Sequence, residues 1–435
     1  MLEVLKNTTY RHLFLAQVIA LIGTGLITIA LALQAYDIAK GEAAQVLGIA
    51  LAIKMIAYIG VAPIASAFAE RLPRKKVLVV LDIIRALTAL CLPFVTQIWQ
   101  IYVLIFILQS ASAAFTPTFQ AMIPDVLPEE KEYTNALSLS RLAYDLENII
   151  SPMLAGFLLT YISYHNLFLG TVIGFIGSAL FVVSAKLPIA KVPEFKGIYS
   201  RIKQGTKIYF NTPRLKALLA LNLAIASASA VVIVNTVVLV QTTFGLTEKA
   251  TTWAFGLFGL GSMLAAFILP IVLEKLNDRS VMLTGTAILV AGLFCGYLIS
   301  SYRGLLVLWF ILGIGYSVSQ TPTGRLIRKS ASSENRTSLF AAQFAFSHAC
   351  WLITYQLVGW LSTNVGTLFT FVPMAIIALI AMSFAFFIWP KQDDLILVHS
   401  HDDLPADHEH LVNHKHGKRH EHEYVIDEYH QKWPK

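Results

Sequence analysis

Long apolar runs alternate with short polar connections from residue 13 to residue 389. A helical membrane span needs roughly 20 mostly apolar residues. Twelve stretches meet that length, near 13–36, 44–69, 77–97, 100–122, 135–161, 166–187, 216–242, 247–273, 281–301, 304–324, 338–362 and 366–389. The first is long enough to stay as a span rather than serve as a cleaved leader. Beyond residue 390 the pattern turns polar and charged. The chain therefore predicts an all-α membrane protein of twelve transmembrane helices followed by a polar tail.

Composition supports that reading. Of 435 residues, 56% are hydrophobic and only 14% charged, where a soluble domain carries about 25% charged residues. The distribution of cations sets the orientation, because cytoplasmic loops are enriched in Lys and Arg. With the amino terminus inside, the inner segments of the core hold 21 Lys and Arg; the outer loops hold only Lys40, Lys249 and Arg303. Both termini are expected in the cytoplasm, and the protein in the inner (plasma) membrane. Cys91, Cys295 and Cys350 lie far apart in apolar runs and show neither metal spacing nor a disulfide pattern.

The twelve runs divide into similar halves. Glu70-Arg71-Leu72 recurs as Glu274-Lys275-Leu276, Thr116-Pro117-Thr118 as Thr321-Pro322-Thr323, and Gly156 as Gly359, at offsets of 204, 205 and 203. Near-constant offsets point to a duplicated six-helix unit, a frequent construction in secondary transporters. The expected organisation is a six-helix bundle over 1–188, a cytoplasmic linker over 189–214, a second pseudo-symmetric bundle over 215–390 and a His-rich tail over 391–435. Within the linker, Gly197–Tyr209 sets Ile198, Ile202 and Ile208 among basic residues. It reads as an amphipathic segment suited to an anionic leaflet.

Three motifs carry a family resemblance. The segment Ser66-Ala-Phe-Ala-Glu70-Arg71-Leu72-Pro73-Arg74-Lys75-Lys76 resembles the acidic-and-basic loop after the second span of the major facilitator superfamily, with Ser66 and Pro73 replacing its glycines. The run Ser151-Pro152-Met153-Leu154-Ala155-Gly156 is similar to a fifth-span motif of its drug/proton antiporters. Gly256, Gly259 and Gly261 offer a matching small face in span 8. Ala114–Asp125, followed by Asn135-Ala136-Leu137, resembles an exporter branch that includes siderophore, macrolide and nickel-resistance exporters. The resemblance implies alternating access about a central site. It also implies gating roles for Glu70, Arg71, Arg74 and Lys75, and for Glu274, Lys275 and Arg279 in the second copy.

Ionisable residues inside a span are costly and mark cavities or ion paths. Lys54 in span 2, Arg141, Asp145 and Glu147 in span 5, and His348 in span 11 are the expected coupling and cavity residues. Arg141 and Asp145 share a helix face; Glu147 points elsewhere and has Lys54 as an available cation. Glu147 or Asp145 is expected to carry the coupling proton. The resemblance places spans 1, 4, 7 and 10 at the centre, so Gln17, Gln34, Gln109, Asn222, Asn235, Tyr316 and Gln320 are expected to give a mild polar lining. Asp82 and Arg85, three residues apart in span 3, read as a structural ion pair.

The tail holds four His-x-His pairs: His399/His401, His408/His410, His414/His416 and His420/His422. Its composition predicts disorder, and an extended chain would let each pair chelate nickel, cobalt or zinc. No cofactor is required otherwise. The expected activity is proton-coupled export of a divalent cation such as nickel or cobalt, with a drug-like or siderophore-like organic solute as the alternative. There is no Walker-type loop for ATP and no catalytic constellation. Protons, the transported solute and the bilayer are the expected partners, with no nucleic acid and a single copy of the chain.

Overall fold

The computed structural model describes residues 2–39, 43–69, 72–187, 198–246, 248–332, 334–391, 396–400, 419–427, 430 and 433–434. A first group of helices comprises α1 (Thr8–Ala39), α2 (Ala43–Ala69), α3 (Arg74–Cys91), α4 (Ile98–Val126), α5 (Glu130–Leu159) and α6 (Tyr164–Ser184). The short helix α7 (Ile198–Asn211) leads to a second group: α8 (Pro213–Val237), α9 (Glu248–Lys275), α10 (Asp278–Gly296), α11 (Tyr302–Gln320), the short α12 (Thr323–Lys329), α13 (Arg336–Asn364) and α14 (Phe371–Ile388).

Among the described residues, nine helical segments are long and apolar enough to cross a membrane. α2, α5 and α13 are as long, at 27, 30 and 29 residues. They carry Lys54, Glu147 and His348, polar residues of the expected site. The body is an all-α multi-pass membrane fold. In hydrocarbon each backbone polar group must be satisfied within its own segment, which a helix does.

Packing within each group is close where side chains vanish. A Cβ at Gly25 of α1 would run into Ser151 of α5, and one at Gly313 of α11 into the Phe258 carbonyl of α9. The small face expected of span 8 is therefore only partly used: Gly261 meets the Phe310 carbonyl, whereas nothing lies within 4 Å of a Cβ at Gly256. Asp82 and Arg85 form the expected buried ion pair. Ser178 donates to Asp82 at 2.8 Å, and the guanidinium lies over Phe115 and Phe175 at 4.1 and 4.5 Å.

The linker's amphipathic segment forms α7, but its apolar face covers protein. Ile208 and Tyr209 are buried, and Tyr209 and Phe210 meet Phe346 of α13 edge-on at 5.1 and 5.3 Å. Between the two groups, α2 and α4 pack on α13, and α5 packs on α9.

The described residues of the tail include two short strands. Strands β1 (Ile396–Ser400) and β2 (Arg419–Glu423) pair antiparallel, with His399 opposite His420. Tyr424 and Ile426 are buried against Leu326, Ile327, Leu339 and Phe340. These apolar residues after β2 find a hydrophobic floor that composition alone could not reveal.

Candidate functional site

A cavity of about 420 Å³ lies inside the first group of helices. Gln17, Thr24 and Thr28 of α1 face it, as do Lys54 and Tyr58 of α2, Arg85 of α3, Phe115 and Phe119 of α4, and Tyr144 and Glu147 of α5. Lys54 and Glu147, read from sequence as a cation and carboxylate seeking partners, thus share one chamber. Tyr58 organises the wall. Its hydroxyl donates to Gln109 at 3.0 Å, the Lys54 ammonium sits 5.5 Å from its ring centre, and His348 of α13 meets it edge-on at 4.7 Å. His348 in turn donates from Nδ1 to the Phe344 carbonyl at 2.7 Å. His348 is therefore a contact between the two groups and does not line this cavity.

Arg141 also reaches across. Its Nε donates to Ser262 of α9 at 3.2 Å, and its guanidinium lies 4.3 Å from the Tyr316 ring of α11. Asp145 lies on α5, and its side chain is outside the described residues. Gln17 accepts from Ser140 at 3.0 Å. Two residues expected in the lining serve backbone instead: Gln34 donates to the Leu92 carbonyl at 2.6 Å, and Asn235 to the Thr367 carbonyl at 3.3 Å. Asn222 is buried within the second group and Gln320 closes α11; neither borders this cavity.

The ends of the helices that carry the basic loops are tied together by charge. Asp125 of α4 binds Arg74 at 2.6 Å within its own group and Arg336 of α13 across the interface. Arg325 pairs with Glu130 at 2.5 Å and with Asp278 at 2.8 Å, and donates to Thr134 at 2.6 Å. Lys329 bridges Asp278 and Glu130 at 2.8 and 3.3 Å, and Lys131 pairs with Glu274 at 2.8 Å. Among the described residues, every ion pair joining the two groups lies at this end.

Of the loop residues expected to gate, Glu70 and Arg71 lie outside the described residues. Arg74 and Glu274 belong to the charged layer. Lys75 donates to the Ala185 carbonyl at 2.9 Å. Arg279 caps the end of α14 by donating to the Phe386 and Trp389 carbonyls at 2.9 and 3.1 Å, a favourable place for a cation. Lys275 ends α9. Sequence reading missed Asp125, Glu130 and Asp278 as the anions of this layer, and counted Arg325, Arg328, Lys329 and Arg336 only as topology signals. A carboxylate just after an apolar run, facing a basic loop, was the available clue.

In the tail, ligand atoms of His399, His420 and His422 lie within 4.8 Å of one another. The expected pair His420/His422 lies on one face of β2, since i and i+2 share a face of a strand, and His399 joins it from β1. Burial lowers the His399 pKa to about 4. Its bond to the Leu397 carbonyl opposes that shift, and His430, His422 and His420 add to it. The ring is neutral at pH 7, the form that ligates a metal. His401, His408, His410, His414 and His416 lie outside the described residues.

A polar chamber among apolar helices, beneath a charged layer at one end, defines a membrane carrier rather than an enzyme. The chain belongs to the Major Facilitator Superfamily, whose model matches residues 13–247 and 217–407. It is a secondary active transporter of that family. It is 24% identical over 289 residues to the uncharacterized MFS-type transporter YfiS of Bacillus subtilis (strain 168), covering 64% of this chain and 69% of the relative. The human organic anion transporter MFSD10 (TETRAN) superposes with a TM-score of 0.76 at 11% identity, over 87% of this chain and 98% of that one. A bacterial homologue of the iron transporter ferroportin, in an outward-facing state, gives 0.73 at 14% identity, over 87% and 99%.

Proposed function

We propose that this protein is a proton-coupled exporter of small organic solutes that works by alternating access. Twelve spans form two six-helix halves, 1–188 and 215–390, joined by 189–214. Both termini lie in the cytoplasm of a bacterial-type plasma membrane, since the basic end carries nearly all loop cations. A single copy of the chain suffices, because the chamber lies within one protomer.

The observation that carries the choice of solute is the chamber itself. Tyr58, Phe115, Phe119 and Tyr144 provide aromatic wall, with Lys54, Arg85 and Glu147 set among them. Sparse polar groups on an apolar wall suit an organic ligand. Among the described residues, the group of three His, Cys or acidic side chains placed to share a metal lies in the tail and not in the chamber. Glu147 is the coupling carboxylate and Asp145 its nearest rival on the same helix. The ion pairs hold the basic ends of the helices together; in the proposed cycle a proton entering at Glu147 displaces solute, and the basic end reopens once the chamber has emptied.

The converging tail histidines favour a second reading, export of nickel or cobalt with the tail as collector. Inverted membrane vesicles separate the two. Under an imposed pH gradient, fluorescent organic cations and anions should accumulate in wild-type vesicles and not in Glu147→Gln vesicles. Movement of Ni²⁺ or Co²⁺ with no organic solute transported would replace the first reading with the second.

A further inference from the structure

We propose that a second cavity, at the basic end, is a binding site for a phosphate-bearing anion, anchored by Arg328 and Arg336 where the two helix groups meet. It shares no wall residue with the chamber around Lys54 and Glu147. The part its gate plays in export rests on the reading above; the anion site does not.

This cavity has a volume of about 450 Å³. Pro128 and Tyr133 reach it from the first group, and the second group supplies Arg325, Arg328, Lys329 and Arg336. The carboxylates of Glu130 and Glu423 also border it, so four cations face two anions. Glu130 is already held by Arg325 and Lys329, at 2.5 and 3.3 Å. The same two cations hold Asp278 at 2.8 Å each, and Arg336 pairs with Asp125.

Arg328 is different. Among the described residues it is the one cation of the charged layer that enters no ion pair. Glu423 is exposed at the end of β2 and leaves it uncompensated. First-group atoms position it all the same: its Nη2 donates to the Pro128 carbonyl, and its guanidinium lies 5.2 Å from the Tyr133 ring centre. Its Nη1 and the Nε of Arg336 are buried without an acceptor among the described residues. A buried donor without an acceptor is costly, and a buried charge without a counter-charge more so. An anion in the cavity that both side chains border supplies what each lacks.

The chemistry favours phosphate. Guanidinium forks match the oxygens of a phosphate and bind them in pairs. A phosphate monoester carries about −1.5 to −2 charges near pH 7, and the wall carries an excess of two cations. The space exceeds a bare ion and falls in the range of small-molecule sites, about 300–1,000 Å³. It has room for the organic group of a soluble phosphate or the glycerol of a lipid headgroup, which share this chemistry. Because the walls come from both groups, opening the basic end would dismantle the cavity. The cations would then face water, where a phosphate gains far less from them. A bound anion therefore favours the state in which the groups meet.

The test uses the full-length protein in nanodiscs of neutral phosphatidylcholine. Inorganic pyrophosphate is titrated in one arm and dihexanoyl phosphatidic acid in the other, with dihexanoyl phosphatidylcholine as the blank, each followed by calorimetry. Saturable binding of one equivalent is expected; binding confined to the first arm marks a soluble phosphate as the ligand, and binding confined to the second marks a lipid headgroup. Arg328→Gln breaks no ion pair and should weaken binding at least tenfold. Lys203→Gln, at an exposed cation of α7, should leave it within twofold. Spin labels at Leu72 and Leu276, exposed at the basic ends of the two groups, should show the closed-to-open ratio rise at least fivefold at saturation, once the native cysteines are replaced. Absence of saturable binding in both arms, or equal weakening in the two variants, overturns the site. Saturation with unmoved label distances overturns its effect on the gate. No transported solute or pH gradient is present, so neither failure bears on organic export, which the vesicle assay tests.

Discussion

Asp125→Asn tests the charged layer at its most economical point. The carboxylate holds Arg74 from its own helix group and Arg336 from the other. When the gate opens, the Arg74 pair travels with its group and cancels between the two states. Only the Arg336 pair is lost. A hydrogen bond to a charged group contributes about 1.5–3 kcal/mol. The Arg336 and Asp125 side chains keep 13% and 24% of their exposure, and solvent reduces such a pair toward the lower figure. About 1.5 kcal/mol corresponds to roughly a tenfold shift toward the open basic end. Asparagine keeps the shape and removes the charge, so packing of α4 is undisturbed. Double electron–electron resonance between labels at 129 and 276 should show the long-distance population rise by about that factor. A change below twofold, with helical content intact, would refute the assignment of Asp125 as a gate residue.

Three further outcomes follow from other contacts. Glu147→Gln should lower pH-gradient-driven transport more than tenfold while equilibrium binding of the solute persists; full proton-driven transport in both this variant and Asp145→Asn sinks the coupling assignment. Gly313→Ala drives a methyl into the Phe258 carbonyl and should cost about 1–3 kcal/mol, read as a fall of several degrees in a fluorescence-detected melting assay, whereas Gly256→Ala should melt at or slightly above wild type. Asp82→Asn leaves the Arg85 guanidinium buried without its anion and should cost about 3–5 kcal/mol; the double replacement with Arg85→Met should recover most of the lost folded yield.

Much of the body was legible in the sequence. The all-α multi-pass membrane fold and the Asp82–Arg85 pair are written at helical spacing, within reach of one another along the chain. Lys54 and Glu147 were legible as residues out of place in hydrocarbon, and the chamber contains both. Gln34 and Asn235 were misread because polarity alone does not say whether a side chain faces a cavity or a backbone carbonyl; each satisfies a carbonyl. His348 was legible as unusual, but its meeting with Tyr58 depends on how α2 and α13 pack. The burial of Tyr424 and Ile426 was not legible, because low apolar content says nothing of a hydrophobic floor offered by another part of the chain.

By itself the sequence determined that this is a helical membrane carrier with its basic loops on one side. Those properties are local: a bilayer demands satisfied backbone within each segment and sorts loops by their charge. The tertiary structure decided the rest. Arg336 and Asp125 meet over 211 residues, Arg325 and Glu130 over 195, and His399 and His430 over 31. No spacing rule reaches that far. Which cation finds which carboxylate, and which imidazoles converge, is settled only when whole helices pack and bring distant polar groups into a place where each must be paired.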